Sequence, residues 1–260
     1  MPEVKEHPPG TFCWADLTTP DLKASHKFYT QLFDWTVVEM PPNDEGGDYT
    51  MIQKNGKNIC LFVEIDDAMR SQGVPPHWTT YVSVSSVDES ASRARQLGGT
   101  VIMEPFDVFD AGRLTMLQGP TGAVLGLWQP GTHIGTQLAF EPGTVCWNEL
   151  YTKDTKTASA FYKGMFGWTE KQSISGLGTE YTEFQINGES VGGMIEIQDE
   201  WGEVPPNWSV YFLVENLDAS LKKAQELGGK IGVEPMEIDM GRFAFIEDPH
   251  GVYFAVFQMK

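Results

Sequence analysis

The chain has 260 residues, 41% of them hydrophobic and 12% aromatic, which is enough apolar material to bury a sizeable core in one or two domains. Asp and Glu number 36 against 18 Lys and Arg, a formal charge of −18; that field repels polyphosphate backbones and anionic lipid, so neither nucleic acid nor a membrane is an expected partner. Cys13, Cys60 and Cys146 lack paired spacing, the N-terminus has no apolar signal segment, and no run approaches the ~20 apolar residues of a span, so a reduced, cytoplasmic protein is expected.

Residues 1–9 are charged and proline-rich and read as a loosely packed lead-in. Residues 11–18 favour a strand, with Phe12, Trp14, Asp16 and Thr18 predicted on one face and Cys13, Ala15 and Leu17 on the other. Asp21 is placed to cap a helix that buries Leu22, Ser25, Phe28, Tyr29 and Leu32. Strands are predicted near 35–40, 48–54 and 58–65. The first two are separated by Pro41-Pro-Asn-Asp-Glu-Gly-Gly47, and the last two by Asn55-Gly56, a hairpin pair that accepts positive φ. Past a polar loop at 66–76 the order recurs: strand 78–84, helix 88–97 ended by Gly98-Gly99, then strands 100–108, 111–118 and 122–128.

The second half says all this again. Gly10-Thr-Phe-Cys-Trp-Ala-Asp-Leu17 returns as Gly143-Thr-Val-Cys-Trp-Asn-Glu-Leu150, and Phe33-Asp-Trp35 as Phe166-Gly-Trp168, both displaced by 133 positions (143 − 10 and 168 − 35). Gly112-Arg113 answers to Gly241-Arg242, and Pro120-Thr-Gly122 to Pro249-His-Gly251. Four strand-helix-strand-strand-strand modules of about 65 residues result (260/4). The fold class is α+β, with two domains at 10–129 and 143–260 joined by a linker at 130–142.

This order, with an Asp-x6-Phe-Tyr helix start and Asp-Pro-x-Gly before the last strand, resembles the vicinal oxygen chelate superfamily of glyoxalases, bleomycin-resistance proteins and dioxygenases. The Cys-Trp-x-[Asp/Glu]-Leu opening and the Gly-Arg hairpin are similar to its tandem glyoxalase-like group. The resemblance implies paired modules that curl a mixed sheet around a cavity. In the metal-dependent members it also implies His and carboxylate ligands on the first and fourth strands of each module. Carried across, those places fall on Trp14, Thr79, Cys60 and Gly126, and on Trp147, Ser209, Gly192 and Ala255. None is His, Asp or Glu, so no metal site and no cofactor is expected.

Asp16 and Glu149 share one repeat position beside Trp14 and Trp147, and are the candidate general bases, because apolar surroundings disfavour a charged carboxyl. The reading placed ahead of it is that they secure the sheet by hydrogen bonds. Arg113 and Arg242, also used twice, are candidate anion clamps or partners in internal ion pairs. Trp14, Trp78, Trp147 and Trp208 are candidates for a ligand wall or for core. His7, His26 and His133 are expected in solvent, and no paired-His, nucleophile-elbow or phosphate-loop motif occurs. The expected function is binding of a small organic metabolite by a monomer or weak homodimer. A glyoxalase-type metal-dependent lyase or dioxygenase with unregistered ligands, and a non-catalytic sequestering protein, stand as alternatives.

Overall fold

The structure is a computed structural model and describes residues 3–40, 49–176 and 178–260. The first module runs β1 (Phe12–Thr19), α1 (Leu22–Phe33), β2 (Thr36–Glu39), β3 (Tyr49–Lys54) and β4 (Lys57–Glu64). A five-residue helix, α2 (Asp67–Ser71), interrupts the expected polar loop and leads to β5 (His77–Ser83), α3 (Val87–Gln96), β6 (Thr100–Val108), β7 (Gly112–Gln118) and β8 (Val124–Pro130). The third module is β9 (Val145–Thr152), α4 (Thr155–Phe166), β10 (Thr169–Ile174), β11 (Glu180–Ile186) and β12 (Glu189–Glu196). The fourth is β13 (Asn207–Leu213), α5 (Leu217–Glu226), β14 (Lys230–Ile238), β15 (Gly241–Glu247) and β16 (Tyr253–Met259). The predicted separator at 41–47 lies outside the described residues.

Local chemistry sets these boundaries. Asp21 Oδ1 accepts from Ala24 N at 2.9 Å and Asp154 Oδ1 from Thr157 N at 2.9 Å, satisfying helix N–H groups that have no partner inside the helix. Asn55 and Gly56 take φ of 53° and 73°, the turn their sequence predicts. Among the described residues no helix is long and apolar enough to cross a membrane.

The strands form two eight-stranded mixed sheets, ordered β2-β3-β4-β1-β5-β8-β7-β6 and β10-β11-β12-β9-β13-β16-β15-β14. Neither closes into a barrel, but the second curls strongly. Tyr151 on β9 and Phe245 on β15 stand three strands apart, about 14 Å in a flat sheet, yet their ring centroids are 5.9 Å apart. Each sheet therefore has a helix face and a concave face.

The helix faces share their cores crosswise. Phe28, Tyr29 and Phe33 of α1 pack with Phe212 and Phe254 of the fourth module, while Phe161 and Tyr162 of α4 pack with Val82, Leu125 and Leu127 of the second. Gly99 and Gly229 admit this approach, because a Cβ on either would meet the Phe161 or Phe28 ring at 2.8 and 3.0 Å. Reciprocal bonds close the seam: Trp35 Nε1 donates to Gly143 O at 2.7 Å and Trp168 Nε1 to Gly10 O at 2.8 Å.

Two expectations need correction. The lead-in is pinned, not loose: Val4 N donates to Gln137 O, and Ser83 Oγ donates to His7 O. Phe12 does not share a face with Trp14. A bulge at Cys13, repeated at Cys146, breaks the alternation, so Phe12 turns to the helix side against Trp208 while Cys13 and Trp14 both line the concave face.

Candidate functional site

On the first concave face, β1 presents Trp14 and Asp16 side by side, and the indole Nε1 donates to Asp16 Oδ1 at 2.6 Å. Tyr81, opposite Trp14 on β5, supplies a second donor to the carboxyl. Gly126 beside it on β8 makes room, since a Cβ there would lie 2.2 Å from the Tyr81 ring. Burial pushes the Asp16 carboxyl up to about 6, with the Tyr81 and Trp14 hydrogen bonds pulling the other way. The same burial, with Asp16 adding its charge, raises the Tyr81 phenol and the Cys13 and Cys60 thiols.

The linker roofs this face. Thr136 N donates to Cys13 O and His133 N to Ala111 O, which sets the His133 ring edge-on to Trp14 at 4.5 Å. His133 is thus packed, not in solvent, and burial holds it down to about 4, so the roof is neutral. His7 likewise sits against Thr136 O at 2.8 Å, and His26 is bonded to Thr50 Oγ1 at 2.7 Å.

The second concave face repeats the carboxylate in a different setting. Tyr151 and Tyr211 hydroxyls both donate to Glu149 Oε1, at 2.7 and 2.8 Å, and the Tyr181 hydroxyl donates to Oε2 at 2.7 Å. Trp147 Nε1 reaches the Tyr181 oxygen, not the carboxylate, at 3.0 Å. Burial and the Glu149 charge hold all three phenols well above their ordinary range. The tyrosines were not singled out from the sequence, although Tyr81 and Tyr211 at matching places in the repeat carried that signal.

The other predicted residues are not gathered here. Arg113 forks onto Asp88 at the start of α3 and also binds Asp107, and Arg242 forks onto Asp218 at the start of α5. Both arginines thus form internal ion pairs that tie a hairpin to a helix, away from Asp16 and Glu149. Trp78 and Trp208, 7% and 4% exposed, lie in the shared cores and donate to Tyr29 and Tyr162 hydroxyls. Trp14 and Trp147 alone of the four predicted wall tryptophans flank a carboxylate.

Residues 11–127 and 138–256 each match the family model of the Glyoxalase/Bleomycin resistance protein/Dioxygenase superfamily. The chain belongs to this superfamily. Within it, the chain is 39% identical over 257 residues to "Putative glyoxylase CFP32" of Mycobacterium bovis, covering 98% of this chain and 97% of that protein. It is 34% identical to "Anthracycline biosynthesis protein DauV" of Streptomyces, covering 97% and 94%. Its fold is also that of an Mn(II)-bound glyoxalase from Novosphingobium aromaticivorans, with a TM-score of 0.67 at 13% identity over 96% and 82% of the two chains. The 2,3-dioxygenase LapB from Pseudomonas sp. KL28 gives 0.65 at 13% over 95% and 91%.

Superfamily membership raises the question of a divalent metal, and the residues facing the concavities do not fit one. The strand register puts Leu61 and Thr79 beside Asp16, and Gly193 and Ser209 beside Glu149. Cys60, one of the fourth-strand ligand places carried across, is buried in the helix-side core and not beside Asp16. Each face offers one carboxylate ringed by indole and phenol donors, which compete for its lone pairs; the Cys13 and Cys146 thiols donate to Tyr81 O and Tyr211 O, and the His133 ring packs edge-on to Trp14. Among the described residues no three His, Cys, Asp or Glu side chains gather at one point.

Two surface hollows lie elsewhere, one between α3 and α4 lined by Ser86, Ser90 and Arg93, the other between α4 and β10–β12. In them Arg93 is bonded to Gly164 O, and Glu170 to Ser159 and Lys163. The inward carboxylates Asp16 and Glu149 are the candidate site.

Proposed function

We propose that this protein binds a small, flat organic metabolite on its concave faces and that an inward carboxylate serves as the proton acceptor. The observation that supports it is Asp16: a half-buried carboxyl, raised to about 6, wedged between Trp14 and Tyr81 at a position the chain uses twice. A base with that affinity for protons is matched to work near neutral pH. Aromatic walls suit planar ligands, and two relatives are named for anthracycline biosynthesis.

A thermal-shift screen of hydroxylated aromatic and dicarbonyl compounds tests this, because a ligand held only by the folded chain raises its melting temperature by mass action. The expected result is a hit that Asp16→Asn weakens while the variant stays folded. Stoichiometric Mn, Fe, Ni or Zn in protein purified without chelator, with activity lost on its removal, would replace this reading with a metal-dependent one.

A further inference from the structure

The two halves keep one scaffold but treat its carboxylate differently, and the difference is written in the sequence. A carboxylate has roughly four lone-pair positions. On Glu149 three are taken by the hydroxyls of Tyr151, Tyr181 and Tyr211, and the residue is 8% exposed. Among the described residues Asp16 takes donors from Trp14 and Tyr81, which leaves about two of its four lone-pair positions unfilled.

Two substitutions between the copies make this so. Tyr181 reaches Glu149 across Gly193, where a Cβ would lie 1.9 Å from the tyrosine oxygen. In the first half the register partner of Asp16 is Leu61, which has a branched side chain where Gly193 has none. Tyr49, opposite Val63 as Tyr181 is opposite Ile195, therefore cannot take the same path. The other cage member, Tyr151, is answered 133 residues earlier by Thr18, too short to reach across.

We infer that the halves have divided the work: the Asp16 face takes a proton from a bound, neutral, hydroxylated aromatic, and the Glu149 face is a closed structural copy. This rests on the proposed proton-accepting role of the inward carboxylates and assigns it to one of them. The substrate class follows from the walls. Burial, Tyr81 and Trp14 act on the Asp16 carboxyl with no basic side chain among them, and the His133 roof is neutral, so an anionic ligand would meet only repulsion. A flat hydroxyarene suffers none. Its O–H proton passes to an Asp16 oxygen, the O–H electron pair stays on the arene, and the negative charge leaves a small desolvated carboxylate for a ring that spreads it. No oxidant or metal enters that step.

The probe is 2-naphthol, a flat hydroxyarene that keeps its proton in water near pH 7 and whose near-ultraviolet absorption moves to longer wavelength when the hydroxyl loses it. Titrated into the full chain near pH 7, it is expected to bind at one equivalent with the red shift. Asp16→Asn should abolish the shift, and Glu149→Gln should keep it. The Tyr151→Phe, Tyr181→Phe double variant, which opens the second carboxylate without removing it and guards against a Glu149→Gln chain that fails to fold, should raise the stoichiometry toward two. Loss of the shift in Glu149→Gln but not in Asp16→Asn would overturn the division while leaving a carboxylate base in place. A shift retained in both single variants, or no binding by the native chain, would overturn the base assignment as well. A double tyrosine variant that stays at one equivalent would refute the cage as the reason for the silence of the second face.

Discussion

Replacing Asp16 by Asn should stabilise the protein at neutral pH, and the gain should vanish in acid. The carboxyl titrates near 3.8 when exposed and at about 6 in the fold. The native state therefore holds its proton more tightly than the unfolded chain, and the stability Asp16 contributes is greatest below its unfolded value and is lost as pH rises through its folded one. At about 1.4 kcal/mol per tenfold change in proton affinity, that gap corresponds to a penalty of roughly 2–3 kcal/mol by pH 7, taken as an upper range because the site is partly open to water. Asn keeps the shape and an oxygen for Trp14, at a pH-independent loss of about 1 kcal/mol for a weakened hydrogen bond. The neighbouring ionisable groups do not obscure the signal: Cys13, Cys60 and Tyr81 are pushed above this window and His133 sits at about 4 in both proteins. Urea unfolding of the two chains at several pH values between 4 and 8 should show their difference drifting by about 2 kcal/mol in favour of Asn as pH rises. A constant difference across that range would mean that Asp16 is not a strained carboxyl, and the proton-acceptor assignment would lose its physical basis.

Other outcomes follow from the same coordinates. Tyr81→Phe removes a donor that steadies the charged form, so the Asp16 carboxyl should titrate higher still, read by carbon-13 NMR of the carboxyl; Gly126→Ala should act in the same direction by displacing the Tyr81 ring. Arg113→Ala and Arg242→Ala break solvent-exposed pairs with Asp88 and Asp218, and should leave ligand binding unchanged and the melting temperature nearly so. Trp35→Phe leaves the Gly143 carbonyl without its indole donor in a buried seam and should lose about 1–3 kcal/mol in chemical denaturation. Because the cores are shared crosswise, calorimetry should give one unfolding transition for the whole chain, and two separated transitions would contradict that packing.

Much of the fold was legible because it rests on signals that recur. The 133-residue echo, the Asp21 cap and the Asn55-Gly56 turn each have a local cause, and the strands and helices fall within a residue or two of their predicted limits. The crosswise core was not legible, since Phe28 or Phe161 shows only that a helix has an apolar face and not which sheet receives it. Bulges hid the face assignments in β1 and β9: an extra residue at Cys13 or Cys146 reverses parity without any change of composition. Similar irregularities where β3 meets β4 and β11 meets β12 shift the pairing just before Cys60 and Gly192. The candidate bases stood out because one repeat position carries a carboxylate beside tryptophan in both halves. Their tyrosine partners arrive from neighbouring strands and become visible only when the strand register is known.

The seam between the halves has the symmetry of a contact between two molecules: the Trp35 bond to Gly143 mirrors the Trp168 bond to Gly10. One half-chain could offer the same surface to its counterpart in a neighbouring molecule, and only the tether at 131–142 makes the partner a resident one. Shortening that tether below the span it bridges would cost the buried Leu138 but should yield exchanged dimers in which the Trp35 and Trp168 seam bonds survive, a route from tandem to paired assembly.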